Sequence, residues 1–496
     1  MLSLIILFPL AAALLLVAVP AISDAAARWA WVGAAGLEVI LVATVWGMYT
    51  TPPPGERALS ERIEWMPGIG SSYHLGVDGL SLPLVALTAV IFLACAIYAL
   101  RDTRLPRLQA ALFLFLQSVS TGVFLAADLI LFFVFFDLSI VGMYFVIAGW
   151  GHKDAARSAL KFFLYTFLGS LALLLGFIGL YLGAAPHTFD MVELTATPPL
   201  SDNPLVGGAV LAAIVLGLAI KTPTVPFHTW LPPAHTDAPA IGSAVLAAVL
   251  LKMGTYGFVR IAMPMLPDAW RAWAWIIIAV GIISALYGAL VALAQTNFKR
   301  MVAYTSVNHM GYILVALGAA GLVTADTVEA RSIAVSGAVT QMVSHGLITG
   351  ALFLLAGILW QRRSSYVMSD YGGLAAPAPR FAALLAIGAF ASLGLPGFSG
   401  FIAEFQIFTG SIAASPITAI AVLGILLTAA LFLRALQSLL TGETRGSSDE
   451  FADLHPNEAW SIVPLLALVV VIGILPGPLL EMIEPAAAAA VELVGR

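Results

Sequence analysis

The sequence predicts an all-α integral membrane protein of about 14 transmembrane helices, built around two inverted repeats of five helices each. Three observations predict this fold. Of the 496 residues, 61% are hydrophobic and 10% are charged, whereas a soluble domain carries about 25% charged residues. Apolar stretches long enough to span a bilayer follow one another along the chain. Two of these stretches, the seventh and the twelfth, are interrupted by proline and glycine.

The predicted segments follow from the rule that a spanning helix needs about 20 mainly apolar residues. Their cores are residues 2–20, 28–49, 80–100, 108–126, 128–149, 157–183, 205–231, 240–263, 270–295, 300–320, 331–360, 380–408, 415–440 and 460–480. No soluble domain interrupts them, so we treat residues 1–496 as a single polytopic membrane domain. We interpret the first stretch as a membrane helix and not as a cleaved signal, because no basic region precedes its apolar core.

The distribution of basic residues predicts that both termini lie on the outer side of the membrane. With the N-terminus outside, the inner loops carry Arg28, Arg101, Arg104, Arg107, Lys153, Arg157, Lys299, Arg300, Arg362, Arg363, Arg380, Arg434 and Arg445. The outer side then carries Arg57, Arg62, Arg260, Arg271, Arg331 and Arg496. Cytoplasmic loops are enriched in Lys and Arg, and this orientation agrees with that rule by about two to one.

The two interrupted segments indicate broken helices. Prolines 223 and 226 follow Lys221 in the seventh segment, and the stretch LGLPGFSG precedes Glu404 in the twelfth. Proline disrupts a helix, and such breaks occur at membrane depth where protein or a hydrated cavity covers the freed backbone. The breaks are five segments apart, and a copied five-helix unit is inverted because five is odd. We therefore predict repeats at 108–263 and 270–440, with sites at the broken helices.

Four ionisable residues lie inside stretches that otherwise predict burial in lipid: Asp137, Lys221, Lys252 and Glu404. Charges at this depth are costly and usually line a polar cavity or an ion path. We therefore expect a proton or cation pathway. The alternatives are carboxylate–lysine pairs that only hold helices together, and lysines that extend to the membrane interface.

Histidines add further candidates for proton transfer. His345 lies in a polar part of the eleventh segment, and histidine titrates nearest to neutral pH, although a hydrogen-bonded core role is an open alternative. His228, His235 and His309 lie at segment ends or in polar patches, where capping or packing is at least as reasonable as proton transfer. Lys161 lies about one turn from an inner loop, so we expect it to extend to the interface.

The sequence contains no motif for binding a nucleotide, a phosphate or a metal cluster, and no His/Cys/Asp/Glu spacing typical of a metal site. The net charge of −5 gives no sign of nucleic-acid binding. We therefore expect no cofactor in this chain, and energy for transport that comes from an ion gradient or from a partner.

Several stretches resemble the antiporter-like subunit M (subunit 4) family of respiratory complex I. They are HLGVDGLSLPLV, FFVFFDLSIVGMYFVIAGWG, LKFFLYTFLGSL, KTPTVPFHTWLPPAHTDAPAIGSAVLAAVLLKMGTYGFVR, NFKRMVAYTSVNHMGYI, QMVSHGLITGALFLLAG and ASLGLPGFSGFIAEF. The resemblance covers nearly the whole chain, and the PFHTWLPPAH and LLKMGTYG stretch is highly specific for a superfamily that also includes Mrp-type sodium/proton antiporter subunits.

The resemblance implies a proton-translocating membrane subunit of an NADH:quinone oxidoreductase. The many alanines and glycines, and the lack of a transit segment, favour a bacterial inner membrane over an organelle membrane. Its implied partners are the lipid bilayer and neighbouring membrane subunits of the L and N kind, while quinone, NADH, FMN and iron–sulfur clusters would belong to partner subunits. The alternatives are an Mrp-type antiporter subunit that exchanges sodium, and a structural subunit whose charges only fix helix packing.

The resemblance also assigns expected roles to individual residues. The family's proton-transfer positions fall on Asp137, Lys221, Lys252, His309, His345 and Glu404, and we retain His228 as a further candidate. Glutamate at the last of these positions looks like subunit M, because the related subunits usually carry lysine there. The family usually has glutamate at the position of Asp137. Aspartate is shorter by one methylene, roughly 1.5 Å, so we expect its bridge to Lys221 to need a water molecule or a shifted helix.

Overall fold

The structure is a computed structural model that describes residues 1–102, 104–324, 327–443 and 451–495. Arg445 and Arg496, which entered the count of basic residues, lie outside these ranges. In chain order the elements are α1 (Leu2–Ala18), α2 (Asp24–Met48), β1 (Ala58–Met66), β2 (Ser71–Val77), α3 (Leu82–Tyr98), α4 (Pro106–Leu125), α5 (Leu129–Trp150), α6 (Ala155–Gly183), α7 (Met191–Ala196), α8 (Pro204–Lys221), α9 (Leu231–Asp237), α10 (Ala240–Met265), α11 (Pro267–Leu293), α12 (Phe298–Ala319), α13 (Val328–Arg363), α14 (Pro379–Ser392), α15 (Ser399–Ala414), α16 (Leu423–Leu440), α17 (Pro456–Ile474) and α18 (Gly477–Gly495).

The chain is mainly helical and membrane-spanning in character. Within the described ranges, eleven helices are long and apolar enough to cross a membrane, and α1 and α14 are shorter apolar helices. Many of the long helices begin at proline, which lacks the amide that has no partner in a first turn. Others begin at a capping side chain, as in α12, where the Asn297 Oδ1 accepts the Arg300 amide at 2.9 Å. Both kinds of start satisfy or remove first-turn amides that have no partner within the helix.

Both interruptions predicted from proline and glycine are present as gaps between helices. The first separates α8 from α9, so Lys221 is the last residue of α8. The second separates α14 from α15, and Glu404 lies in the second turn of α15. The polar stretch of the eleventh segment causes no break, because α13 is continuous over 36 residues. Helix α18 was not predicted, since its alanine-rich sequence follows the last apolar stretch and contains Pro485.

A β-hairpin departs from the all-helical prediction. Strands β1 and β2 pair antiparallel within the polar stretch 50–79, with Arg62 opposite His74. The last four residues of Ser-Glu-Arg-Ile-Glu-Trp alternate polar and apolar side chains, which is a strand pattern. The search for long apolar stretches did not use this signal. The Asp128 carboxylate accepts the Ser71 hydroxyl and the Ser72 amide, both at 3.0 Å, which attaches the hairpin to the start of α5.

Asp78 forms a buried ion-pair cluster between the hairpin and α10. Its Oδ1 accepts the amides of Leu80 and Ser81 in the turn before α3, at 3.0 and 3.1 Å. The Arg260 guanidinium donates to both carboxylate oxygens at 2.5 Å, and Arg57 lies 3.8 Å away. Burial alone would raise the pKa of Asp78, but the two guanidinium groups and the turn hydrogen bonds hold this pKa at about 2.

We predict that Asp78→Asn lowers stability at neutral pH by about 3 kcal/mol, because it leaves a buried guanidinium without its counterion. The folded-state pKa lies below the ordinary value of 3.8, so the contribution is complete above about pH 4 and disappears as the pH falls towards 2. Thermal unfolding of the purified protein in detergent at a series of pH values measures the difference. Glu64→Gln, at an exposed position on β1, is the control. Equal unfolding midpoints for Asp78→Asn and the natural protein at pH 7 contradict the prediction.

Candidate functional site

Lys252 lies in a locally rewound part of α10. Residues Leu246–Leu250 and Phe258–Ala262 are π-helical and flank an α-helical turn at Leu251–Gly257. Such segments are rare and often occur at functional sites, because they take backbone carbonyls out of the α-helical pattern. The Lys252 Nζ donates to the carbonyl of Ala247, five residues earlier, at 2.6 Å. The side chain is fully buried, so this carbonyl replaces part of the ammonium's lost hydration.

His345 of α13 is the second partner of Lys252. The Lys252 Nζ and the His345 Nδ1 are 2.6 Å apart, and the Thr349 hydroxyl lies 3.4 Å from the same nitrogen. At this separation one nitrogen donates and the other accepts, so a proton can reside on either side of the contact. The other ring nitrogen of His345, Nε2, is buried and makes no hydrogen bond to any of the described residues. His345 therefore has one nitrogen joined to Lys252 and one free to pass a proton onwards.

His309 and Glu404 continue from His345. The ring centroids of His345 and His309 are 5.2 Å apart, and the His309 Nε2 is 3.6 Å from the Glu404 Oε1. We call Lys252, His345, His309 and Glu404 the central row. Its members come from four different helices, α10, α13, α12 and α15, and each is 5% exposed or less.

A small cavity of about 10 Å³ lies beside the central row. It is lined by His345, His309, Glu404, Gln341 and Ser392, among others. The His345 Nε2, the Gln341 Oε1 and the Ser392 Oγ are buried and, in the described part of the chain, have no hydrogen-bond partner. A space of this size, with several polar atoms facing it, matches what one buried water molecule requires. A water molecule there would link the two histidines to the carboxyl group.

The break between α14 and α15 makes room for the Glu404 carboxylate. Gly394 has a φ of +76°, and a Cβ at that position would stand 2.4 Å from the Glu404 Oε2. Any other residue at position 394 would therefore collide with the carboxylate as well as strain the backbone. The LGLPG stretch thus positions the last member of the central row.

Asp137 and Lys221 form a separate and looser group. Among the described residues, the ion pairs within 4.0 Å do not include Asp137 with Lys221. The Lys221 Nζ donates to the Ser139 hydroxyl at 3.2 Å and lies 4.7 Å from the centroid of the Phe136 ring. The groups that act electrostatically on Asp137 are the Ser170 hydroxyl and the Lys221 ammonium. The Asp137 Oδ1 is buried and has no hydrogen-bond partner within the described ranges. This arrangement leaves room for the bridging water or helix shift expected for aspartate.

The group around Lys221 approaches α10 next to Lys252. The Ser139 Oγ, which accepts from Lys221, lies 3.5 Å from the Met253 Sδ. Gly254 is packed against Thr222, the residue after Lys221, so closely that a Cβ would stand 2.8 Å from the Thr222 amide nitrogen. Close helix packing therefore brings the two lysine positions together, and on the α10 side the Ser139 hydroxyl meets the weakly accepting thioether of Met253, the residue after Lys252.

His228 and Lys161 lie away from the central row. His228 is in the break after α8, where its ring centroid is 5.1 Å from that of Tyr287 and 6.3 Å from that of Tyr304. Within the described part of the chain, its Nδ1 has no hydrogen-bond partner, and Lys161 is the charge that acts on it. The Lys161 side chain is exposed and donates to the Thr229 carbonyl at 2.7 Å.

The sequence analysis passed over a further buried carboxylate. Glu38 of α2 is fully buried, and its Oε1 accepts the Thr121 hydroxyl at 3.1 Å. The rule that singled out Asp137, an ionisable residue within a long apolar stretch, applies equally to Glu38 in GLEVILV and would have found it. Over the described ranges, no three His, Cys, Asp or Glu side chains are arranged to hold a metal ion.

Comparison with known proteins gives consistent matches over most of the chain. Residues 126–430 match the family described as NADH:quinone oxidoreductase/Mrp antiporter, TM. NADH-quinone oxidoreductase subunit M of Rickettsia prowazekii is 39% identical over 426 residues, which are 85% of this chain and 84% of that protein.

Two solved structures are similar over their full lengths. A chain of respiratory complex I from Thermus thermophilus with bound NADH matches with a TM-score of 0.89 and 31% identity, covering 100% of both chains. A chain of the Mrp complex from Dietzia sp. matches with a TM-score of 0.86 and 20% identity, covering 100% of this chain and 99% of that one, which shows the fold alone. The chain therefore belongs to the transmembrane family shared by NADH:quinone oxidoreductases and Mrp antiporters.

Proposed function

We propose that this chain is a proton-translocating membrane subunit of a quinone oxidoreductase of the complex I kind. The observation that carries this proposal is the central row, in which four titratable side chains follow one another across four helices inside an apolar bundle. Buried ionisable groups in a membrane are retained for ion or proton transfer in most proteins that have them. The 31% identity with a complex I chain, against 20% with an Mrp chain, favours the oxidoreductase over the antiporter.

In the proposed mechanism, proton transfer starts from a change in the pair of Asp137 and Lys221. When the carboxylate approaches the ammonium, the protonated lysine is stabilised, and when the pair separates the proton is released towards Lys252. The contact between Lys252 and His345 then moves the proton to the side of the row that faces His309. Glu404 exchanges the proton with one side of the membrane or with the next subunit. In this scheme His228 does not belong to the central row. It is a further candidate for proton transfer at the break after α8.

The same proposal includes the architecture and its orientation. We propose about 14 spanning helices, with repeats at 108–263 and 270–440, because a broken helix occupies the fourth place in each unit. Both termini face the outer side of a bacterial inner membrane.

The partners are other membrane subunits of the same complex, with neighbours of the L and N kind on either side. Quinone and the redox cofactors belong to partner subunits.

The first prediction from this proposal concerns the two ends of the central row. Lys252→Met and Glu404→Gln each remove one proton-accepting group at nearly constant volume. We expect each variant to lower proton pumping by about tenfold or more, since loss of a proton-transfer group typically costs about 10²–10⁴-fold in rate. Proton uptake by vesicles that contain the complete complex, driven by its electron donor and quinone, measures this. Lys161→Met, at the exposed lysine, is the matched control, and normal pumping in both row variants would favour a structural subunit.

A second prediction concerns the charge at position 137. Asp137→Glu keeps the carboxylate and brings it closer to Lys221, so we expect this variant to pump at or above the natural rate. Asp137→Asn keeps the size of the side chain but removes the charge, so we expect pumping to fall by about tenfold. The same vesicle assay compares the two variants. Equal activity of Asp137→Asn and Asp137→Glu would exclude a role for charge at this position.

A third prediction separates the oxidoreductase from the sodium-exchanging alternative. The complete complex, reconstituted in vesicles, should move protons only when its electron donor and quinone are both present. An imposed sodium gradient alone should produce no proton movement above that of empty vesicles. Sodium-dependent proton movement without donor or quinone would instead identify an antiporter of the Mrp kind.

A further inference from the structure

We propose that Glu38 of α2 is a proton-binding site outside the central row and outside both proposed repeats, and that it exchanges its proton with water at the end of the bundle where α2 and α4 begin. The mechanism proposed above does not use Glu38, so its proton binding stands or falls on measurements of its own. The chemistry at this site is the binding and release of a proton by a neutral carboxyl group.

The surroundings of the Glu38 carboxyl group favour its neutral form. The residue lies about 21 Å from the start of α2. It is fully buried, and its Oε1 accepts the Thr121 hydroxyl of α4 at 3.1 Å. Among the described residues, the ion pairs within 4.0 Å do not include Glu38. An isolated carboxylate is so costly in an apolar interior that such a group takes up a proton instead.

The titratable groups near α2 do not reach the depth of Glu38. The helices that pack most closely against α2 are α1, α3 and α4. Besides Glu38, these four helices contain the following residues that titrate: Asp24, Arg28, Cys95, Tyr98 and Arg107. All five lie near the end of the bundle where α2 and α4 begin and α3 ends. Within this part of the described structure, Glu38 therefore has no cation that would hold it in the ionised form.

Helices α2 and α4 run side by side in the same direction at this site. The Trp31 ring of α2 and the Phe113 ring of α4 have centroids 5.1 Å apart. Seven residues further along α2 and eight further along α4, Glu38 meets Thr121. Gln117 is about one turn from both Phe113 and Thr121 on α4, so it faces α2 between these two contacts.

Unpaired polar atoms follow this contact between α2 and α4. Within the described ranges, five buried side-chain atoms of these two helices make no hydrogen bond: Trp31 Nε1, Glu38 Oε2, Gln117 Oε1, Gln117 Nε2 and Ser120 Oγ. A buried polar atom without a partner costs about 1–3 kcal/mol, and such atoms are normally paired with protein or with ordered water. Ala34 and Ala35, between the two contacts on α2, are buried and small. Water molecules at the unpaired atoms would carry a proton to and from the Glu38 Oε2.

The line of unpaired atoms leads from Glu38 towards the start of α2. Beyond Glu38 the buried face of this helix continues with Val42 and Val45, whose side chains have no polar atom. In the other direction, Trp31 is seven residues from Asp24, the exposed first residue of α2. We therefore expect the proton to come from that end of the bundle and to return to it, without crossing the membrane.

A purely structural hydrogen bond between α2 and α4 does not account for this arrangement. A glutamine amide at position 38 would accept from the Thr121 hydroxyl as well as a carboxyl group does. What the carboxyl group adds is a proton that it can bind and release. Glu38→Gln therefore removes the proposed function of the site and keeps its structural contact.

The first measurement asks whether Glu38 carries a proton. The infrared spectrum of the complete complex with Glu38→Gln is subtracted from that of the natural complex at pH 7. We expect the variant to lose the carbonyl band of one protonated carboxyl group. Loss of carboxylate bands in its place would show that Glu38 is ionised and would overturn the proposal.

Thr121→Val tests the same assignment in a second way. Valine has nearly the shape of threonine but lacks the hydroxyl that donates to Oε1. We therefore expect the protonated carboxyl band to remain and to move to higher frequency. An unchanged band position would contradict the assignment to Glu38. This comparison carries the test if the complex with Glu38→Gln does not assemble.

Deuterated water tests the exchange of the proton. The carbonyl band of an accessible carboxyl group moves to lower frequency when deuterium replaces its proton. We expect this shift in the natural complex and in Gln361→Leu, a matched control at an exposed glutamine, and a slower shift in Gln117→Leu. A band that does not shift, or a shift as fast in Gln117→Leu as in the control, would rule out exchange along α2 and α4.

Sodium separates proton binding from the binding of a metal cation. Carboxyl, amide and hydroxyl oxygens also suit hard cations, and Glu38, Gln117 and Ser120 offer all three kinds. We expect the protonated carboxyl band to be the same in sodium chloride and in potassium chloride. Disappearance of the band in sodium chloride would identify a sodium site and would refute proton binding at Glu38.

Discussion

The contact between Lys252 and His345 is the interaction on which the remaining structure depends. An ammonium group in a medium of low polarity must recover its lost hydration from fixed dipoles or from an opposite charge. Here a backbone carbonyl and an imidazole nitrogen supply it, both at 2.6 Å, and among the described residues no carboxylate lies within 4.0 Å of Lys252. A lysine held by neutral groups is not locked to a carboxylate, and its proton can be shared with the imidazole nitrogen that it contacts.

Close helix packing keeps this contact short. Helix α13 approaches α10 through small residues: a Cβ at Gly346 would stand 2.9 Å from the Ala248 carbonyl, and one at Gly357 would stand 2.3 Å from the Ala240 Cβ. Small residues at such crossings let two backbones approach closely within a membrane. The other members of the row depend on the same kind of fit, as the space that Gly394 leaves for Glu404 illustrates. The polar row is thus a consequence of how tightly its apolar supports pack.

Much of this could be predicted from the sequence, for identifiable reasons. Apolar length and proline position predicted where spans begin and break, because both act locally on the backbone. Burial of Lys252 and Glu404 followed from their apolar flanks. The contacts between side chains were harder to predict from the sequence. A pair of Asp137 with Lys221 was expected, and the structure holds the two residues without a direct ion pair. For His235 the sequence left proton transfer and packing open, because its ring contact with Phe353 joins residues that are distant in the chain.

The two π-helical segments of α10 have a consequence for how this helix can vary between relatives. Successive residues of an α-helix are displaced by about 100° around the axis, so one additional residue rotates everything that follows by that amount. Lys252 follows the first π segment and contacts His345 of α13, and Arg260 lies within the second π segment and contacts Asp78. Deletion of one residue from either segment would redirect the rest of the helix while leaving its composition almost unchanged.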